Sequence, residues 1–231
     1  VADVFVDGND QSGVTLQLQN GMTITGRIAF DGQRLLPPTD LTRVRITLTT
    51  VGAQDAEFGN LPPATVDASG RFTMKGVPPG RYSLRGNALA GAGGPGVGAG
   101  GAMQAGGSGN WVLASSMAGG LDSLDFPLVI APNVNIPDAV VTFADRTTEL
   151  SGTLQDASGT ATSDYSIIVF PSDKQYWQPQ SRRIQSARPG TDGRFTMRNL
   201  PPGAYMIVAV TDVESKASLE EQTANLTKQA K

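Results

Sequence analysis

"GRFTMKGVPPGRYSL" (Gly70 to Leu84) and "GRFTMRNLPPGAYMI" (Gly193 to Ile207) are one phrase written twice, 123 positions apart. In the first copy Phe72 and Met74 alternate with polar residues, and Tyr82 and Leu84 do the same. Period two marks a half-buried strand on each side of the prolines. Between them "VPPG" predicts a tight reversal, hence a hairpin. Pro79 presets φ near −65°, and Gly80 is expected to supply the positive φ of a type II turn. Pro78 biases Val77 toward extended geometry, so the strand runs straight into the turn. The polar turns "DASG" (Asp67 to Gly70) and "GTDG" (Gly190 to Gly193) start the first strand of each copy.

Upstream, "MTITGRIAFDG" (Met22 to Gly32) echoes "TELSGTLQDASG" (Thr148 to Gly159), each a strand with a central glycine and then a turn. Next come the β-branched runs "RVRITLTT" (Arg43 to Thr50) and "YSIIVFPSD" (Tyr165 to Asp173). A period above 100 residues means tandem domains rather than a solenoid, whose repeats run about 20–50 residues. The expected organisation is a β-prone N-terminal segment 1–13, a first β-sandwich 14–143 and a second 144–231. The predicted class is all-β, two Greek-key sandwiches in tandem.

The halves differ beyond the proline turn. In the first, ten of the nineteen residues from 91 to 109 are glycine, a composition that reads as a surface loop. "NWVLASSM" and "LDFPLVIAP" then predict two more strands. "DAVVTFAD" leads into the second half. There, "AYMIVAVTD" is apolar on both faces, as in a strand covered on both sides. "SLEE" has the form of a capping box, and a short C-terminal helix is expected over 219–230, its stripe of Leu219, Leu226 and Ala230 lying over that strand. With no strands after its proline turn, the second sheet is expected to keep an unpaired edge. The sequence opens on Val1, which reads as a processed chain or a fragment.

The residues "GRIAFDG", "VRITLTT" and "DASGRFTMKGVPPGRYSL", with the second copies "ELSGTLQDASG" and "TDGRFTMRNLPPGAYMIVA", are similar to the carboxypeptidase regulatory-like module. The matched stretches cover somewhat more than half of the chain. That resemblance implies a transthyretin-like, seven-stranded Greek-key sandwich, a fold also grouped with carbohydrate-binding modules. The pairing of two such modules, with "NWVLASSMAGGLDSLDFPL" and "VFPSDKQYWQPQSRR", resembles large secreted or surface proteins of Acidobacteria-like bacteria. It implies an extracellular or cell-surface location and no catalysis of the module's own.

Composition excludes more than it assigns. There is no Cys and no His in 231 residues, which removes thiolate chemistry, the residue most used for proton transfer near neutral pH, and the commonest transition-metal ligand. A net charge of −3 without a basic run argues against nucleic acid. No apolar run reaches the ~18 residues of a transmembrane helix. Ser115 and Ser116 lie in a strand with no base to activate them. The glycine-rich segment lacks the Lys-Ser/Thr that completes a phosphate loop. No enzyme and no cofactor are expected.

Three surfaces remain as candidates. Tyr176 and Trp177, in a loop with Arg182 and Arg183, form an expected sugar-stacking platform. The competing reading has Trp177 plugging the sandwich end while the arginines stack on aromatics or pair with Asp173. Asp3, Asp7, Asn9 and Asp10 offer oxygen ligands at spacings a calcium loop uses, as do Asp122 and Asp125 on a smaller scale, although Asp and Asn also make ordinary turns. Val1, Val4, Phe5 and Val6 form a β-prone arm whose donation to a neighbour's open edge would build a filament. The partners expected are other copies of the chain or surface proteins; the alternatives are a carbohydrate-binding module with glycan ligands, or a spacer domain of a larger surface protein.

Overall fold

The computed structural model describes residues 7, 8, 10, 12, 13, 20–51, 61–87, 89, 90, 110–178 and 181–211. The arm residues Val1, Val4, Phe5 and Val6, the candidate ligands Asp3 and Asn9, the glycine-rich stretch 91–109 and the expected helix 219–230 lie outside them.

The described structure is all-β, with a single short 3-10 turn in the second half. In the first half, β1 (Met22–Asp31), β4 (Arg71–Val77), β6 (Leu89–Ala90), β7 (Asn110–Ala118) and β10 (Ile136–Ala144) form one sheet in the order β4-β1-β10-β7-β6. The short β8 (Leu121–Asp122) pairs with β7. The second sheet runs β3-β2-β5-β9, from β2 (Arg45–Thr50), β3 (Ala64–Thr65), β5 (Gly80–Gly86) and β9 (Leu128–Ile130). Alternation sets the core. Phe72, Met74, Ile24, Ile28, Val141 and Phe143 point inward from one sheet, while Ile46, Leu48, Tyr82, Leu84 and Ile130 meet them from the other. Trp111 lies in this core, edge-on to Phe30 at 4.8 Å.

The second half repeats half of this plan. β11 (Glu149–Thr153) pairs with β14 (Arg194–Arg198), and β12 (Ser166–Pro171) lies between β13 (Gln185–Ala187) and β15 (Tyr205–Val210). The register repeats with it. Gly26 stands opposite Phe72, and Gly152 opposite Phe195. A Cβ on Gly152 would come within 2.7 Å of the Phe195 ring. One on Gly26 would meet the Phe72 ring at 2.6 Å and collide with the Ala139 carbonyl oxygen. In both halves the central glycine makes room for the aromatic ring opposite. β12 is buried on both faces, with Ile167 and Val169 over Met197 and Leu200, and Ile168 and Phe170 packed with Ile184. Its uninterrupted "IIVF" reflects that double cover.

The repeated proline phrase is not a hairpin. β4 pairs with β1, whereas β5 pairs with β2 and β9, so "VPPG" carries the chain across the core from one sheet to the other. β14 and β15 part in the same way. Alternating strands look alike in a hairpin and in an arch, because period two reports faces and says nothing of partners. The turn chemistry also differs from expectation. Positive φ falls on Gly76 (73°) and its counterpart Asn199 (63°), not on Gly80 or Gly203. Gly80 is small for another reason: a Cβ there would touch the Tyr82 ring at 3.0 Å. That ring folds back so that its hydroxyl donates to the Pro78 carbonyl at 3.2 Å, and Tyr205 likewise donates to Pro201 at 2.6 Å.

Candidate functional site

Among the described residues, a dense polar constellation lies where the segment 121–127 of the first half meets residues 174–183 of the second. Asp173 caps the 3-10 turn Lys174–Tyr176, its Oδ1 accepting from the Gln175 amide at 3.0 Å. The cap points Tyr176 at the first half, where its ring lies 5.2 Å from that of Phe126. The Arg183 guanidinium stacks 4.3 Å above the same tyrosine ring. Trp177 turns the other way. Its Nε1 donates to the Pro171 carbonyl at 2.8 Å, and its ring stands edge-on to Phe170 at 5.8 Å.

Asp125 sits at the centre, with its side chain 3% exposed. Arg182 donates to it from Nε at 2.8 Å and from a terminal nitrogen at 3.1 Å, the two-pronged geometry that a planar guanidinium favours. Arg183 adds a third bond at 2.7 Å. Arg182 also reaches Asp122 at 2.8 Å and the Ala114 carbonyl at 3.0 Å. Arg183 donates to the Pro202 carbonyl at 3.0 Å and the Tyr205 hydroxyl at 3.3 Å, which ties this cluster to the second proline arch. Asp122 is held by the Ser116 and Leu124 amides at 3.0 and 3.1 Å.

Burial alone would push the Asp125 carboxyl up. The hydrogen bonds and charges of Arg182 and Arg183 outweigh it and hold the group below the ordinary carboxylate value. Burial opposes the charge on Arg183, yet Asp125 and Tyr205 leave its guanidinium more basic than usual. Burial raises the Tyr205 phenol against the pull of Arg183. One further junction contact is unusual. Asp145 Oδ2 accepts from the amides of Gln33, Arg34 and Leu35, and the Arg34 amide leads the bonds that lower its pKa.

The structure thus brings Tyr176, Arg182 and Arg183 together and sets Trp177 apart, against its own strand. The arginines face Asp122 and Asp125, more than fifty residues back along the chain; Asp173 is occupied with its turn. The sequence displays both aspartates but holds no signal to pair them with the arginines, because only the packing of the halves joins the two segments. Asp7 and Asp10 are exposed. Among the described residues no three acidic side chains gather as a metal-binding group. No helix among them is long and apolar enough to cross a membrane.

No family model and no curated protein matches the chain. Solved structures similar to it include the Bacillus anthracis TIE protein, at 14% identity and a TM-score of 0.27 over 84% of this chain and 28% of that one. A streptococcal ancillary pilin is similar at 13% identity and a TM-score of 0.29, over 84% of this chain and 60% of that one. A DUF3823 family protein from Parabacteroides merdae aligns at 12% identity and a TM-score of 0.27, over 82% of this chain and 98% of its own. The chain therefore spans less than two thirds of the first two structures, and superpositions this loose carry no functional argument.

Proposed function

We propose that the chain is a non-catalytic, extracellular structural module, two sandwich units (14–143 and 144–231) that assemble with other copies by strand addition. One observation carries this reading. In the first half, β1 has a second neighbour in the parallel β10, and β5 has a second neighbour in β9. Their counterparts in the second half, β11 and β15, each have one partner among the described residues.

The β15 edge is also the wrong kind of strand to leave open. Its sequence is YMIVAV, with Met206 37% and Ile207 53% exposed. A flat apolar strand with unpaired amides is a template for another chain, and proteins normally cover or charge such edges. The occupant we assign is the arm "VADVFVD" of a second copy, in which Ala2, Val4 and Val6 alternate with Asp3, Phe5 and Asp7. Head-to-tail donation of this kind propagates from copy to copy, as a filament wherever the rotation between copies does not close a ring.

The test is deletion of residues 1–7, with electron microscopy and gel filtration of both forms. Full-length chain should form oligomers or fibres, the truncated chain should stay monomeric, and added synthetic VADVFVD peptide should bind the truncated form. Equal assembly of both forms removes the reading.

A further inference from the structure

We infer that the seam between the two halves carries a binding site for a carboxylate-bearing sugar, built on Arg81, Ser83 and Arg85. This rests on residues other than those of the strand edges above and stands or falls independently of them. β5 alternates, so Tyr82 and Leu84 enter the core while Arg81 and Arg85 stand exposed on the opposite face, with Ser83 buried between them. A hollow of about 300 Å³ lies over these three residues. Residues of the segment 123–127 line it from the first half, and Gln178 and Ser181 from the second. Its size sits at the lower end of small-ligand sites, which span about 300–1,000 Å³.

Two observations point to an anion. First, charge is left over. Asp125 also borders the hollow, but its carboxylate is consumed by Arg182 and Arg183, and Asp122 is consumed by Arg182. Four guanidiniums therefore face two carboxylates, while the chain as a whole carries −3. Neither Arg81 nor Arg85 makes a side-chain hydrogen bond or ion pair among the described residues. Second, Ser83 is 5% exposed, yet its hydroxyl has no hydrogen-bond partner there. Buried hydroxyls are seldom left so, and an acceptor arriving between the two arginines would complete it.

A carboxylate suits the planar fork of arginine. Ser123 is spent on the Leu84 backbone, but the Ser181 hydroxyl, which only accepts from the Arg183 amide, keeps its proton to donate, and Gln178 keeps its side-chain oxygen. These suit the ring hydroxyls of a sugar better than an apolar side chain, so a uronic-acid unit is the assigned class. In Arg81 and Arg85 the site supplies charge; in Ser83 it supplies a donor that no part of the described structure uses.

Calorimetric titration of the whole chain with trigalacturonate, galactotriose and hexaglutamate tests the assignment. A parallel titration uses an Asp55→Asn, Glu57→Gln form, which removes the two carboxylates that come shortly after Val51 in sequence. Saturable binding of trigalacturonate is expected, without binding of the neutral sugar, and weakened by added salt. Arg81→Ala and Arg85→Ala should each cost about tenfold or more in affinity, Arg81→Lys less, and Ser83→Ala a few-fold, with thermal midpoints unchanged. No binding of trigalacturonate at millimolar concentration in either background would overturn the site. So would equal binding of galactotriose, or affinity unmoved in Arg81→Ala. Tighter binding of hexaglutamate would overturn the sugar assignment and give the hollow to an acidic protein segment.

Discussion

Replacing Asp125 by alanine removes the acceptor of three guanidinium hydrogen bonds at 2.7, 2.8 and 3.1 Å in one step. Arg182 keeps Asp122, but Arg183, only 9% exposed, keeps two neutral oxygens and the Tyr176 ring with no opposite charge, and its Nε already lacks a partner. Removing one member of a buried ion pair typically costs about 3–5 kcal/mol, because the other charge stays desolvated. Asp125 is nearly inaccessible, so that range applies with little relief from solvent. For a cooperative unit of about 100 residues, each kcal/mol lowers the thermal midpoint by roughly 4–8 °C, so a fall of more than about 12 °C is expected by calorimetry. Asp125→Ala with Arg183→Ala should be less damaging than the two single costs added, leaving a coupling of at least about 1.5 kcal/mol in urea titrations. The pH dependence gives a second handle. The folded carboxyl titrates below its ordinary 3.8, so the stabilisation is complete above that value and is lost as pH falls through the lower folded pKa. Asp125→Asn should therefore differ from the parent at pH 7 and converge with it in acid. A midpoint shift under about 2 °C, or a parent-to-Asn difference independent of pH, would refute the reasoning.

Three further outcomes separate the forces at the repeated phrase. Gly26→Ala should cost about 2–3 kcal/mol in urea unfolding, since its Cβ would meet a backbone carbonyl, and Gly152→Ala should cost less, since only the Phe195 ring must yield. Gly76→Ala should cost about 1–2 kcal/mol although a Cβ there meets nothing within 4 Å, because the loss is the left-handed backbone itself at φ 73°. Tyr205→Phe should cost about 1–3 kcal/mol, since it removes both the bond to Pro201 and the oxygen that accepts from Arg183, measured in the same titration.

The duplicated phrase is enough to read an all-β chain with two similar halves, because side-chain alternation and glycine spacing are local. Phe72 and Phe195 each opposite a glycine obey the same rule. What alternation does not supply is partnership. It makes a hairpin of what is an arch, since a strand's inward face is the same whichever neighbour it pairs with. It also puts the positive φ on the glycine after the prolines, when Gly76 and Asn199, one residue before the Val-Pro or Leu-Pro step, carry it. The "AYMIVAV" strand reads as fully covered, yet Met206 and Ile207 are exposed in the described structure. Among the described residues β15 pairs with β12 alone. The Asp125 cluster is illegible for a different reason. Long-range ion pairs depend on how two packed units meet, and no periodicity encodes that.

Amide hydrogen exchange at Tyr205–Val210, monitored as protein concentration is raised, addresses the strand-addition claim most directly. If a neighbouring copy fills the β15 edge, protection there should increase with concentration in the full chain and stay low after deletion of residues 1–7. Protection that is the same at every concentration and in both forms would contradict it.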